Sequence, residues 1–379
     1  MMTPKTEAAL AELVAAASGP LAIQGGGTRG FAPKGDPLSV AGLSGIELYE
    51  PGALTLVVQA GTPMAEIDAA LAKENQRLPF EPMDHRGLMG SAGEPTIGGV
   101  IAGNISGPRR IQSGAARDYM LGVRFVDGQG TRLRNGGRVM KNVTGYDLVK
   151  LMTGSFGTLG VLTEVALKVL PRTDAAACIM LEGLSNETAI EALSNALGSP
   201  FEVSGAAHLP HRPDGAALTM IRIEGFEGSV AYRADKLKTV LSAYAPGRIE
   251  ADSGKIARLW ADVRDVAPFH DATGDVWRIS CKPSEGPALA AKMQATSVIF
   301  DWGGGLIWAL TREGTDLRAK LGRYDGHATL VRADAETRAR LGVFQPQPAP
   351  LEALSAGLRA KFDPRNILNA GLMQTRQEA

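Results

Sequence analysis

The chain has 379 residues, 44% of them hydrophobic, so it can bury a sizeable core in two or three domains. Lys and Arg together number 40, as do Asp and Glu, which argues against a general nucleic-acid or anionic-membrane surface. The two cysteines have no metal-binding spacing, which argues against a disulfide framework and against a zinc or iron–sulfur site. Neither a signal peptide nor a membrane span of roughly 20 apolar residues is evident, so we expect a cytoplasmic protein.

The first half of the chain is predicted to alternate helices and strands. The predicted elements are a helix at 5–17, strands at 21–23, within 38–48 and at 54–60, a helix at 64–75, a hairpin of strands 120–126 and 131–134, a helix at 148–152 and a strand at 164–169. Pro171 marks a plausible boundary, because the glycine clusters thin out after it. This order favours an α/β or α+β fold.

A run of three glycines, residues 25–27, follows the first predicted strand. Glycines leave main-chain N–H groups uncovered and take backbone angles that other residues avoid, so such a loop can surround a pyrophosphate. A Rossmann site would require Gly-x-Gly-x-x-Gly opening into a helix, but the prolines at 33 and 37 prevent a long helix here. An ordinary glycine-rich turn explains this run equally well.

A second cluster of small residues lies within residues 95–104. Gly98, Gly99, Ala102 and Gly103 would leave a thin surface against which a flat ring could lie. The alternative is a close packing contact between a helix and a sheet. We favour the ligand, because this is the second such surface in the first hundred residues or so.

The second half is predicted to be an α+β domain with an antiparallel sheet. The predicted strands are 175–183, 202–209, 217–224, 297–301, 304–310 and 327–331, and the helices are 186–198, 229–244, 285–295 and 315–322, with weaker patterns over 253–282. A proline-rich linker at 345–351 precedes a last helix at 351–360.

Several motifs, taken in order, resemble the FAD-linked oxidases of the vanillyl-alcohol oxidase type. They are Gly-Gly-Gly-Thr at 25–28, Pro-Thr-Ile-Gly-Gly-Val-Ile-Ala-Gly-Asn at 95–104, Gly-x-x-Arg-Asp at 114–118 and Gly-Thr-Leu-Gly-Val-Leu-Thr at 157–163, with Phe-Asp-Pro-x-x-Ile-Leu-Asn at 362–369. More narrowly, residues 107–110, 139–148 and 159–171 resemble the FAD-binding subunits of bacterial glycolate oxidase.

The resemblance implies an α+β fold with a two-part PCMH-type FAD-binding domain at 1–172 and an α+β cap domain at 173–345. A C-terminal segment, 346–379, is expected to return to the FAD domain. Covalent-flavin relatives have a histidine where this chain has Thr28, so non-covalent FAD is expected. The tail reads Asn369-Ala370-Gly371 where Asn-Pro-Gly is usual, which leaves its loop geometry open.

The resemblance also implies which residues contact FAD. They are Gly25, Gly26, Gly27 and Thr28, holding the pyrophosphate through main-chain N–H groups, with Arg29 and Gly30; Pro95, Thr96, Ile97, Gly98, Gly99, Ala102 and Gly103 along the isoalloxazine and ribityl chain; Gly114 and Asp118; and Gly160, Val161 and Leu162 near the adenine.

The implied function is that of an FAD-binding subunit of a glycolate oxidase complex. It would take part in electron transfer from glycolate or D-lactate, together with a sister flavin subunit and an iron–sulfur subunit, in the cytoplasm or peripherally at the inner membrane. A self-sufficient 2-hydroxyacid dehydrogenase and a non-catalytic FAD-bound scaffold are alternatives, and a Rossmann NAD enzyme is a weaker one. The lack of a recognisable catalytic constellation favours the electron relay.

An arginine is expected to hold the substrate carboxylate as a bidentate partner. The catalytic candidates are Arg109, Arg110 and Tyr146, with Arg117 and Lys141 also near in the motifs. Alternatively, Arg109 and Arg110 form a solvated or subunit-facing pair, and Arg117 and Asp118 form a buried ion pair. A metal-binding histidine motif is not found, and structural or surface roles are expected for the histidines at 85, 208, 211, 270 and 327.

Overall fold

The computed structural model describes residues 1–31, 33–137, 145–212 and 215–373. The helices in these ranges are α1 (Glu7–Ala16), α2 (Met64–Lys73), α3 (Arg86–Met89), α4 (Ile97–Ala102), α5 (Arg110–Ser113), α6 (Leu148–Met152), α7 (Asn186–Leu197), α8 (Glu227–Leu241), α9 (Ser253–Arg264), α10 (Gly286–Met293), α11 (Leu317–Leu321), α12 (Ala335–Leu341) and α13 (Ala349–Phe362).

The strands up to residue 171 are β1 (Leu21–Gln24), β2 (Asp36–Ser39), β3 (Ile46–Glu50), β4 (Thr55–Gln59), β5 (Gln76–Arg77), β6 (Met120–Val126), β7 (Arg132–Gly136), β8 (Val161–Lys168) and β9 (Leu170–Pro171). The later strands are β10 (Ala175–Glu182), β11 (Val203–Leu209), β12 (Leu218–Gly225), β13 (Gly247–Glu250), β14 (Asp275–Ser280), β15 (Ser297–Asp301), β16 (Leu306–Thr311) and β17 (His327–Arg332).

The first part is built on a five-stranded antiparallel sheet in the order β3-β4-β8-β6-β7. Helix α2 has Met64, Ile67 and Leu71 on one side, because residues three and four apart share a helix face, and all three are buried in the core beside this sheet. The strand carrying the glycine run, β1, lies outside this sheet and pairs in parallel with β2.

The second part is an eight-stranded antiparallel sheet in the order β13-β10-β12-β11-β15-β16-β14-β17. Ile179 and Trp277 belong to the core cluster that includes residues of α7, α8, α10 and α11. Trp260 of α9 belongs to a second cluster, which also contains Met83 and Leu88 of the first part. The α+β fold and the antiparallel sheet are therefore as expected from the sequence.

The C-terminal segment returns to strand β1, as expected. The Leu21 N–H donates to the Ile367 carbonyl at 2.7 Å, and the Asn369 N–H donates to the Leu21 carbonyl at 3.0 Å. The Asn369 side chain accepts from the Ile23 N–H at 2.7 Å and donates to the Phe156 carbonyl at 2.9 Å. These bonds fix β1 and the start of the glycine loop, while the domain boundaries at 172/173 and 345/346 stay predictions.

Helix α4 was not predicted from the sequence, because glycine has a low helix propensity. Thr96 caps it by accepting from the Gly99 N–H at 3.3 Å. Close packing supports it as well, since the Gly98 N–H donates to the Ala60 carbonyl at 2.7 Å. Strand β13 and helix α12 were also missed, and β8 begins at Val161 rather than at 164.

Among the described helices, none combines the length and the apolar character needed to cross a bilayer.

Candidate functional site

The glycine loop after β1 lines a narrow cavity of about 120 Å³. Three of the segments that the sequence predicted to form one site, within 25–30, 95–102 and 160–162, converge on it. The lining includes Gly25, Gly26, Gly27, Thr28, Arg29, Gly30, Pro95, Thr96, Gly98, Gly99, Ala102, Gly160, Val161 and Leu162. Segments far apart in the chain therefore meet here, and Asn369 from the C-terminal segment joins them.

The loop exposes a row of unused main-chain donors. Within the described ranges, the N–H groups of residues 25–30 donate no hydrogen bond. Glycine is required at two of these positions, because a Cβ on Gly25 would lie 2.2 Å from Thr96 Oγ1 and one on Gly26 would lie 1.5 Å from the Glu94 carbonyl oxygen. Gly27 has a φ of 69°, which glycine adopts at little cost. A run of uncovered donors in such a turn favours an anion.

The guanidinium of Arg29 lies beside these donors and against helix α4. A Cβ built on Gly103 would lie 2.1 Å from Arg29 Nη1, and one built on Gly99 would lie 3.1 Å from Nη2. Arg29 forms no hydrogen bond or ion pair with the described residues, and burial lowers its pKa to about 10. The cation therefore adds positive charge to a cavity already lined by donors.

The glycines of α4 serve two purposes. A Cβ on Gly98 would lie 2.6 Å from the Ala60 carbonyl oxygen, so the helix–sheet packing that was the alternative interpretation holds at this residue. Gly99 instead supports the Arg29 side chain, and Gly103 borders the next cleft.

Three other predicted contacts lie away from the cavity. Ile97 is fully buried in the core of the first part and does not line the cavity. Gly114 and Asp118 form a turn in which the Asp118 carboxylate accepts from the Ala115 N–H at 2.9 Å. Arg117 and Asp118 are both exposed, so the alternative of a buried ion pair between them is wrong.

The catalytic candidates are also separated. Arg110 borders a wide cleft, whereas Tyr146 is 87% exposed and lines neither the cleft nor the cavity. Arg109 is buried, so a solvated or subunit-facing role is wrong for it. Lys141 lies outside the described residues, as does the part 139–144 of the family-like stretch 139–148.

Arg109 belongs to a buried ion network between the two parts of the chain. Its guanidinium pairs with Glu81 at 2.8 Å and with Glu224, and Arg222 pairs with Glu81 at 2.9 Å. Arg77 also reaches Glu224, at 3.0 Å. Burial alone would raise the pKa of Glu81, but attraction to Arg222 and Arg109 outweighs it and lowers the pKa to about 2. Glu81 is therefore charged at neutral pH and fully committed to the interface.

A cleft of about 1880 Å³ adjoins the cavity. The cavity and the cleft are continuous, because both are lined by Arg29, Met83, His85 and Phe156. The far wall is the face of the eight-stranded sheet formed by alternate residues of three strands. These residues are Arg278 and Ser280 of β14, Leu306 and Trp308 of β16, and His327, Thr329 and Val331 of β17.

Sequence reasoning missed the charged groups on this wall. Arg278 lies in a strand of otherwise mainly apolar residues, and Asp301 is 2% exposed at the end of β15. Burial raises the pKa of Asp301 to about 7, and its side chain accepts from the Trp302 N–H at 2.7 Å. The available signal was an arginine among the apolar residues Val276, Trp277 and Ile279, but the pattern around it was too weak to assign a strand.

Two histidines have the structural roles that were expected. The ring of His208 is hydrogen-bonded to Thr219 at 2.9 Å, and that of His270 to the Asp265 carbonyl at 2.8 Å. His85 is different, because it borders both cavity and cleft and burial lowers its pKa to about 3, with repulsion from Arg29 adding to this. It is therefore neutral at pH 7. No group of three or more His, Cys, Asp or Glu side chains within the described ranges could hold a metal ion.

Comparison with known proteins decides the family. A family profile described as "FAD binding domain" matches residues 1–136. The chain is 36% identical over 359 residues to the glycolate oxidase subunit GlcE of Escherichia coli (strain K12), covering 93% of this chain and 92% of the relative. The chain belongs to the family of FAD-binding glycolate oxidase subunits. Its cofactor is FAD, and it is an FAD-dependent oxidoreductase of the FAD-linked oxidase superfamily.

The chain also resembles two more distant proteins. Over 121 residues the chain is 40% identical to the glycolate oxidase subunit GlcD of Bacillus subtilis (strain 168), which is 32% of this chain and 24% of that relative. In fold it is similar to an alkyldihydroxyacetonephosphate synthase, with a TM-score of 0.70 and 16% identity, covering 98% of this chain and 76% of the synthase. The second likeness concerns the fold alone.

Proposed function

We propose that the chain holds FAD non-covalently and takes part in electron transfer from a 2-hydroxyacid toward an iron–sulfur subunit of a glycolate oxidase complex. The observation that carries this proposal is the cavity in which the N–H groups of residues 25–30 and the guanidinium of Arg29 lack a protein acceptor within the described ranges. Relationship to GlcE along nearly the whole chain supports the same role.

The residues of the cavity fit FAD by their chemistry. Uncovered N–H groups at 25–28 and the Arg29 guanidinium match the two charges of a pyrophosphate. Three of the four α4 residues that line the cavity, Gly98, Gly99 and Ala102, are small, which suits a flat ring system. Thr28 offers no imidazole for attachment, so retention would depend on these contacts alone. The cavity's opening into the cleft allows the ring end to extend toward a substrate.

When bound, FAD supplies a two-electron acceptor that can pass its electrons on to an iron–sulfur centre. The protein's part is to hold and orient the FAD and to screen it from water. The ion network of Arg109, Glu81 and Arg222 joins the eight-stranded sheet to the first part of the chain. It therefore holds the cleft wall in a fixed position. His85, neutral and buried at the junction of cavity and cleft, leaves the local positive charge to the arginines.

A second candidate is direct oxidation of the acid at this flavin. The continuity of cavity and cleft favours it, because a small acid in the cleft could reach a ring lying on α4. A non-catalytic FAD-bound scaffold has no such observation in its favour.

The test begins with the pure chain and its flavin absorbance. We expect flavin that stays bound on gel filtration and is released by denaturation. Adding glycolate without oxygen then separates the candidates: reduction only when the partner subunits are present supports the relay, whereas reduction of the pure chain at a turnover-competent rate supports direct oxidation. A chain that folds but binds no flavin would contradict both.

A further inference from the structure

Two arginines from different parts of the chain meet on one tryptophan ring in the cleft. The Arg110 guanidinium carbon lies 4.7 Å from the centre of the Trp302 ring, and that of Arg278 lies 5.1 Å from the same centre. Arg110 begins α5 of the first part, while Arg278 and Trp302 belong to the cap sheet and the turn after β15. The cluster therefore spans the cleft and would hold a ligand between the two parts.

Neither guanidinium pairs with an anionic side chain among the described residues. In the described part of the chain, the side chains of Arg110 and Arg278 form no hydrogen bond and no ion pair. Burial lowers the pKa of Arg278 to about 10, and repulsion from Arg110 adds to this effect. Two like charges brought together away from bulk water are unfavourable unless an anion joins them.

Neighbouring carboxyl groups attract this charge without pairing with it, and the exposed Asp118 attracts Arg110 in this way. Asp301 attracts Arg278, but its own pKa is raised by burial and its carboxyl accepts the Trp302 N–H. His327 lines the cleft, and burial together with repulsion from Arg278 and Arg110 lowers its pKa, so it is neutral at pH 7. Ser280, paired with His327 across the strands, adds a hydroxyl to the same wall.

We propose that Arg110 and Arg278, held against Trp302, form the binding site for the carboxylate of a small organic acid. A carboxylate can accept bidentate hydrogen bonds from a guanidinium fork, which the stacking on Trp302 keeps oriented. Trp308, directly opposite Arg278 on β16, and Leu306 provide apolar surface for the carbon atoms of the acid. That the acid is a 2-hydroxyacid rests on the proposed function; the recognition of a carboxylate does not.

The experiment is a calorimetric titration of glycolate into the full chain with its flavin bound, repeated with glycolamide, which has the same shape without the charge. We expect saturable binding of glycolate and at least about tenfold weaker binding of glycolamide, because a charge-assisted hydrogen bond is lost. Arg278→Gln and Arg110→Gln should each weaken glycolate binding by about 10- to 100-fold. Arg248→Gln, at an exposed arginine on β13 of the same sheet, should leave it unchanged.

Equal binding of glycolate and glycolamide, or wild-type affinity in both arginine variants, would overturn the carboxylate site. Arg278→Lys keeps the positive charge but loses the two-pronged guanidinium. Its affinity for glycolate should lie between those of wild type and Arg278→Gln. If Arg278→Gln does not fold, Arg110→Gln decides the matter, since Arg110 is only half-buried. The flavin absorbance of every sample is read separately. A chain without flavin whose tryptophan fluorescence still responds to glycolate would contradict the proposed function and leave the carboxylate site standing.

Discussion

Arginines stack on tryptophan rings both in the interface network and in the cleft, but a carboxylate neutralises the arginine only in the network. In the interface network, Arg222 lies 4.6 Å from the centre of the Trp260 ring and is ion-paired with Glu81 at 2.9 Å. In the cleft, Arg110 and Arg278 stack on Trp302 without any carboxylate partner in the described ranges. A tryptophan can orient a guanidinium in either case, so a protein acceptor for the guanidinium is what separates a structural contact from an open one. Arg318, 5.0 Å from the centre of the Trp277 ring, is structural in this sense, because it donates to the Ala328 and Val343 carbonyls.

The same contrast extends to the cavity, where Arg29 and the N–H groups of the glycine loop also lack acceptors within the described residues. Among the described residues, the arginines of the interface network are thus ion-paired, whereas Arg29, Arg110 and Arg278 beside the cavity and cleft are not. Unpaired buried cations are costly, so their grouping in one continuous space points to ligands that carry negative charge.

The largest effect is expected in the interface network, where the arginines are ion-paired. Glu81→Gln removes the carboxylate shared by Arg109 and Arg222, and breaking a buried pair on one side typically costs roughly 3–5 kcal/mol. We expect a loss of that order in the free energy of unfolding, measured with urea. Glu182→Gln, whose partner Arg248 is exposed, should cost less than about 1 kcal/mol.

This loss should depend on pH. The pKa of Glu81 in the folded chain, about 2, lies below its unfolded value of roughly 4.3, so its contribution is present above the unfolded value and disappears as the pH falls toward 2. The stabilities of wild type and Glu81→Gln should therefore approach each other in acid. A constant difference between pH 7 and pH 3 would mean that the charge of Glu81 is not what holds the interface.

The next expected effect is on FAD affinity, through the main-chain N–H groups of the glycine loop that have no acceptor among the described residues. Gly27→Asp places a carboxylate beside them, while Gly27→Asn places an amide of the same shape. Both residues tolerate the positive φ of 69°, and the nearest atom to the new Cβ would be Gln24 Oε1 at 3.8 Å. We expect Asp to weaken FAD binding at least about tenfold more than Asn does, by charge repulsion.

Flavin dissociation constants from fluorescence quenching would measure this difference. Gly26→Glu is a poorer test, because any Cβ there would clash with the Glu94 carbonyl and disturb the loop whether or not it binds a pyrophosphate. Equal affinity of the Gly27→Asp and Gly27→Asn proteins for FAD would remove the glycine loop from the phosphate-binding role.

A further effect is expected at Asp301, a buried carboxyl that attracts Arg278 of the cleft cluster. Its folded pKa of about 7 lies above the unfolded value of roughly 3.9, so the folded chain holds this proton more tightly and stability falls as the pH rises from 4 to 7. Asp301→Asn removes that dependence. The melting temperature of the variant minus that of wild type should therefore be larger at pH 8 than at pH 5.

Asp325→Asn is the control for this pH series, since Asp325 is exposed and its pKa is lowered rather than raised, by the hydrogen bond from Lys282. Parallel melting profiles for wild type and Asp301→Asn across the range would show that Asp301 is charged in the folded chain at all these pH values. The Asp301 carboxylate would then offset part of the positive charge in the cleft, as Glu81 does in the interface network.

The sequence located the glycine loop, the small residues of α4 and the returning C-terminal segment, because each is a local motif tied to one family. It could not separate Arg109 from Arg110, which are adjacent but point into different surroundings, one toward Glu81 and the other toward Trp302. Arg109 pairs with Glu224, and Arg110 stacks on Trp302, both more than a hundred residues away. Glu81, the other partner of Arg109, lies in a loop where its φ is positive. No local sequence pattern encodes these contacts.

The smallest expected effect tests this separation directly. Arg110→Gln should change the free energy of unfolding by less than about 1 kcal/mol, because it removes a stacking contact and a like-charge repulsion together. Arg109→Gln, one residue earlier, should cost several times more, because it leaves Glu81 and Glu224 short of a partner. Urea unfolding of the two variants side by side measures the difference. Equal losses would mean that Arg110 supports the fold as Arg109 does, and the cleft cluster would then be a second structural contact between the parts of the chain.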